Sequence, residues 1–349
     1  MTPQVLARES WKSDPNGLSL LTTWNDVRDW RHALNDAEAV NSFQIVHAHS
    51  FASAMAGVRG SLPLVYDFAY ALDEVAPEQS HSGPWLLRSF RVAEQFALTR
   101  ASAVVVHSKT MATIAHDRGA APPNIFRIHH PFISRKMEND QSWYEAHGID
   151  PSRDFVILVL GSSNGHEFSL KTLATLKRDL PNVVLVLECD QATQEVMQRA
   201  SELNLGSSLR CVSPHARDSA IASADLVLAF PTEDPSGRSN EGMLSAMSAS
   251  KPVVAADAPE NRECSEDGEG CLWFQHGEVS DLTRSVLSLA TNQYFRSELG
   301  KAGRDHLLAT RAPEVVGRAY NEVYRHAQSR RTETIQLLPA PKIYALGPG

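Results

Sequence analysis

The sequence predicts an α/β protein made of two doubly wound units, each a parallel sheet covered by helices on both faces. Three observations carry that expectation. Short apolar runs of strand length alternate with longer segments of helical spacing from about residue 40 to residue 327. The alternation breaks once, over residues 134–152, a charged stretch with Gly148 and Pro151 and no strand periodicity. The chain has 349 residues, 42% hydrophobic and 21% charged, enough for two separate cores.

Residues 1–20 give no firm element. Trp24, Val27, Trp30, Leu34 and Ala37 form one stripe, which predicts a helix over 24–39. Strands are expected at 43–48, 62–68, 102–107 and 125–129. Helices are expected at 51–58, 84–100 and 109–118, the second with Arg88, Arg91 and Glu94 on its polar side and the third capped by Ser108. The second series places strands at 155–160, 183–187, 208–212, 226–230 and 252–256. Helices stand between them, and three more follow at 280–290, 294–311 and 313–326. The organisation expected is a first Rossmann-like domain over 1–140, a second over 153–310, a helix crossing back over 311–327, and a mobile, Pro-containing tail over 328–349.

A net charge of −8 argues against nucleic acid as a partner, since that task leaves a basic footprint. Cys189, Cys211, Cys264 and Cys271 form no CxxC pair, which gives no zinc or redox signature and suits a reducing cytoplasm. The N-terminus lacks the apolar core of a signal peptide. The longest apolar runs, 103–106 and 183–187, are too short to span a bilayer, so a soluble protein is expected, with peripheral membrane contact left open.

The densest chemistry lies at 222–263, ASADLVLAFPTEDPSGRSNEGMLSAMSASKPVVAADAPENRE. A buried strand leads through a Gly- and Ser-containing loop into a helix N-terminus, the arrangement that receives phosphate in doubly wound folds. In the first domain, His47 and His49 alternate along a strand and so point to one face. They are equally readable as cleft residues or as a hydrogen-bonded pair at the sheet end. Asp67 ends the next strand, where a polar role or an ordinary strand-end aspartate both fit. His129 and His130 are adjacent on an extended chain and point apart, which disfavours joint metal binding.

Four stretches, in this order and spacing, resemble GT-B glycosyltransferases of family 4. They are QIVHAHS at 44–50, EQFALTRASAVVVHSKTM at 94–111, ADLVLAFPT at 224–232 and LSAMSASKPVVAAD at 244–257. The resemblance covers most of residues 40–327 and implies two Rossmann-like domains facing across a cleft, here with the N-terminal domain shortened at its start. It implies a nucleotide-sugar donor on the second domain, a carbohydrate or glycolipid acceptor, metal-independent transfer with retention of configuration, and no cofactor. The implied donor contacts are Gly161, Ser162, Ser163, Lys171, Gly237, Arg238, Ser239, Asn240, Glu241, Gly242 and Ser245; candidates for catalysis are His47, His49, Asp67 and Glu241.

Several family positions are replaced. Ser162 stands where the family has a phosphate-binding arginine, and Glu167 falls near its lysine, with Lys171 one helical turn further on. Gly237 and Ser245 stand where the family has two glutamates, and Ala69 where it has a histidine. Glu241 shares a helix face with Ser245 and could reach the same ribose; an acidic residue favoured in a helix's first turn explains it equally. These departures keep a catalytically degenerate relative, acting as a binding or regulatory partner, open beside the transferase. A nucleotide-sugar epimerase on the same fold finds no comparable cluster of acidic residues.

Overall fold

The computed structural model describes the chain apart from residues 1–19, 41–42, 72–83, 135–136, 138–140, 161–162, 190–193, 232–239, 266–267 and 338–349. It falls into two compact units, residues 1–129 with 317–349, and residues 130–316.

The first unit holds a four-stranded sheet of β1 (Val46–Ala48), β2 (Leu64–Asp67), β3 (Ala103–Val106) and β4 (Ile125–Arg127), in that spatial order and parallel throughout. Every residue of β2 and β3 is buried, as in a sheet covered on both faces. The helices start where side-chain oxygens take up free amides. Ser50 and Ser53 close a capping box on the Phe51–Gly57 helix, and Ser108 accepts from Met111 N at 3.0 Å ahead of Lys109–Asp117. The Pro84–Arg100 helix buries Phe90, Ala97 and Leu98. Glu94 does not lie on its polar side as expected. It is fully buried and paired with the buried Arg118, which supplies the counter-charge that makes an inward carboxylate tolerable.

The second unit holds a six-stranded parallel sheet of β5 (Phe155–Leu160), β6 (Val183–Glu188), β7 (Leu209–Val212), β8 (Leu226–Ala229), β9 (Val253–Ala256) and β10 (Cys271–Phe274). Its spatial order is β10-β9-β8-β5-β6-β7. Alternation sorts each strand between two cores. Leu158, Leu160, Val227, Ala229, Val253 and Ala255 face Met243 and Met247, whereas Ile157, Val159, Leu226, Leu228 and Val254 face Leu170, Leu173, Leu282 and Val286. Each fully buried Val, Leu, Ile or Met side chain among them contributes about 1.5–3 kcal/mol by leaving water.

Three elements depart from expectation. Residues 134–152 contain a helix, Gln141–His147, because Trp143 and Tyr144 are drawn into the core and the Tyr144 hydroxyl donates to Ser223 O at 3.0 Å. A sixth strand, β10, joins the edge of the sheet. It is entered through Gly270, whose φ of +77° and approach to the Gly303 backbone leave no room for a Cβ. The last helix runs Pro313–Leu337, through the first part of the expected tail. Among the described residues no helix is long and apolar enough to cross a membrane.

Candidate functional site

In the first unit, parallel pairing brings the C-terminal ends of β1, β2 and β3 side by side, the edge where open α/β sheets bind ligands. Each strand delivers a polar side chain there: His47 from β1 with His49 just past it, Asp67 from β2, and His107 just past β3. The pleat does place His47 and His49 together, with ring centroids 4.0 Å apart. Asp67 is 7% exposed and is the hub. His107 Nε2 donates to its Oδ1 at 2.8 Å, while His49 Nδ1 and the Tyr320 hydroxyl donate to Oδ2 at 3.2 and 3.3 Å.

The proton count of this knot follows from chemistry. Burial alone would raise the Asp67 carboxyl, but the hydrogen bonds from His107 and His49 outweigh it and hold the group well below the usual carboxylate range. The other nitrogen of His107, Nδ1, lies 2.7 Å from Ile128 O. Carbonyl and carboxylate oxygens accept and do not donate, so His107 beside an ionised Asp67 carries both ring protons and forms a buried ion pair with it. His49 is bound through Nδ1 and its side chain is 67% exposed. With Nδ1 donating to Asp67, the neutral form of the ring carries its lone pair on Nε2.

His47 is held differently. Its Nδ1 lies 2.9 Å from the Tyr324 hydroxyl, and its Nε2 is buried with no hydrogen-bond partner. Burial first, and the neighbouring His49 second, bring its pKa down to about 4. Tyr320 is pushed up by burial and then by the Asp67 charge. The two tyrosines sit one turn apart on the Pro313–Leu337 helix, so one face of that helix closes the knot.

In the second unit the strand order reverses at β5 and β8. The chain leaves β5 towards β6 and β7, and leaves β8 towards β9 and β10. Ligands of doubly wound sheets bind at such a switch point, beyond the strand ends. The loops there carry Gly161, Ser162, Gly237, Arg238 and Ser239, all outside the described residues. Ser163 opens the Ser163–Leu176 helix, and Asn240 caps the Glu241–Ser248 helix, so two helix N-termini follow the two switch-point strands.

Asn240 is committed to the scaffold. It is buried, accepts from Met243 N at 3.1 Å, and donates to Phe230 O and Asn261 Oδ1 at 3.0 Å each. Gly242 is a packing glycine whose Cβ would meet Leu160 at 2.9 Å, and Ser245 is half-buried behind it. Glu241 is exposed in the first turn. Lys171 is exposed and paired with Glu167 at 2.9 Å. Gly165 lets its helix approach β8 so closely that a Cβ would stand 2.6 Å from the Phe230 ring.

Sequence reasoning missed His107, Tyr320, Tyr324 and His166. Tyr320 and Tyr324 have the i, i+4 spacing of one helix face, and His107 directly precedes a helix cap; those were the available signals. His166 continues the buried stripe of Leu170 and Leu173 to the first turn of its helix, where Nε2 is buried without a partner and burial lowers its pKa.

Comparison with known proteins was consistent with this architecture. Residues 5–130 match the glycosyl transferase 4-like domain, and residues 154–292 match glycosyl transferases group 1. No curated protein matches the chain. Among solved structures, HepE of Anabaena, in complex with UDP, is similar with TM-score 0.61 at 17% identity, over 90% of this chain and 82% of that one. A glycosyltransferase from Rickettsia africae gives TM-score 0.64 at 14% identity, covering 92% and 84%. A UDP-N-acetylglucosamine 2-epimerase assigned in Listeria monocytogenes gives 0.54 at 13%, covering 95% and 84%. At such identities these structures establish the fold and leave the reaction to the site. The two family matches fall one on each half and together span most of the length: the chain belongs to the family-4-like glycosyltransferases of GT-B fold.

Proposed function

We propose that the chain transfers a sugar from a nucleotide-sugar donor, held by the second unit, to a hydroxyl of a carbohydrate or glycolipid acceptor. The observation that carries this reading is the group 1 match over 154–292, on the unit whose β5/β8 switch point is followed by two helix N-termini. Those amides, with Arg238, Ser162 and Ser163, hold the diphosphate; no metal is needed there. UDP is the first nucleotide to consider, because HepE is described with UDP and with UDP-glucose. Transfer proceeds with retention: the acceptor oxygen bonds to the anomeric carbon, the bond to the diphosphate breaks, and the departing diphosphate takes the proton. A reducing cytoplasm fits the absence of a disulfide among Cys189, Cys211, Cys264 and Cys271.

One observation favours a second reading, a degenerate relative that acts as a binding or regulatory partner. The nearest replacement for the missing cation, Lys171, is tied to Glu167. Release of nucleoside diphosphate from a panel of UDP-, GDP- and ADP-sugars, with mono- and oligosaccharide and glycolipid acceptors, tests the proposal. Acceptor-dependent release from one donor supports transfer. No release from any donor favours the degenerate relative.

A further inference from the structure

We propose that His47, His49 and Asp67 form a binding site for one divalent transition-metal ion of the zinc type. A ring nitrogen of each histidine and a carboxylate oxygen of Asp67 all lie within 4.8 Å of one another. The site is in the first unit, among residues given no metal role by the glycosyltransferase reading, and the inference does not depend on that reading.

The donor atoms, now within 4.8 Å of one another, have to draw in to about 3.3 Å to hold a tetrahedral ion. His47 Nε2 is buried and has no hydrogen-bond partner, while its Nδ1 is engaged by the Tyr324 hydroxyl. A ligating histidine is held in this way, its second nitrogen bonded to an outer partner that fixes the ring and leaves the first with a lone pair. His49 Nδ1 and Asp67 Oδ2 are 3.2 Å apart. Two ligands on a tetrahedral ion with bonds of about 2.0 Å are separated by about 3.3 Å, so a cation fits where the pair now shares a proton. Asp67 Oδ1 remains with His107, which anchors the carboxylate from behind, and Tyr320 lies against Oδ2.

Two imidazoles and one carboxylate suit zinc, cobalt, nickel, iron(II) or copper(II). Magnesium and calcium prefer six or more oxygen ligands, and no thiolate is at hand to favour copper(I). Three protein ligands leave a fourth position for water or an anion. His49, exposed on one side, provides the entry path and can move to close the ring of ligands. The ion displaces the Nδ1 proton that His49 now shares with Asp67.

The test uses the full chain, untagged and stripped with EDTA, titrated with Co²⁺ and then Zn²⁺. The proposal expects one Co²⁺ per chain with the intense visible absorption of a tetrahedral site, lost when Zn²⁺ is added. His47→Ala and His49→Ala should each weaken Co²⁺ binding by about 10–100-fold. Cys189→Ser with Cys211→Ser should leave it unchanged. His49 is exposed, so His49→Ala keeps the test decisive even if the His47 variant fails to fold. Absence of stoichiometric Co²⁺ binding overturns the proposal, as does equal affinity in His49→Ala.

Discussion

Replacing His47 by glutamine should flatten the dependence of stability on pH between about 4 and 6.5. The folded chain holds this ring at about 4, against 6.5 when free, because burial and the adjacent His49 disfavour its charged form. Between those values the unfolded chain binds a proton that the folded chain refuses. The stabilisation due to neutral His47 is therefore complete above pH 6.5, shrinks as pH falls, and is gone below about 4. At about 1.36 kcal/mol per pH unit, the whole effect is about 3 kcal/mol, of which about 2 kcal/mol is lost by pH 5. Urea unfolding at pH 7.5 and 5.0, in EDTA to keep metal away, reads this directly. Wild type should lose about 2 kcal/mol more than His47→Gln across that interval. Equal losses in the two proteins would refute the reasoning and place the ring in contact with water.

Other perturbations follow from the same contacts. Asp67→Asn leaves the His107 charge without its partner where both side chains are 9% exposed, and should cost about 3–5 kcal/mol at pH 7 by urea unfolding; a loss under about 1 kcal/mol would contradict the ion pair. Gly165→Ala sets a methyl 2.6 Å from the Phe230 ring and should cost about 1–3 kcal/mol, read by thermal unfolding, with an unchanged melting temperature contradicting the close packing. Arg238→Ala should weaken nucleoside diphosphate binding by about tenfold, or about 1.4 kcal/mol, if this arginine replaces the cation missing at Ser162; unchanged affinity removes it from the donor site.

The sequence shows the α/β architecture because buried parallel strands such as 103–106 and 226–229 are continuous apolar runs with helical spacing between them. β10 escaped because Cys271–Phe274 is four residues long and interrupted by a half-buried Trp273, with glycines as its only boundary mark. The Gln141–His147 helix escaped because its order comes from Trp143 and Tyr144 docking on a distant core, which no local pattern records. The first-unit knot was half legible. The His47/His49 alternation is a local property of a strand, but their junction with Asp67, His107, Tyr320 and Tyr324 joins positions up to 277 residues apart. Glu94 shows the same limit from the other side: a lone acid reads as polar surface until Arg118 is seen beneath it.

Calorimetric titration of the intact chain with UDP, GDP and ADP, and with their common sugar conjugates, bears most directly on the central claim. A working donor site at the β5/β8 switch point predicts binding of one nucleotide series at micromolar Kd, about −8 kcal/mol. If none of the three series binds, the replacements at Ser162, Glu167, Gly237 and Ser245 have abolished the donor site, and nucleotide-sugar transfer is contradicted.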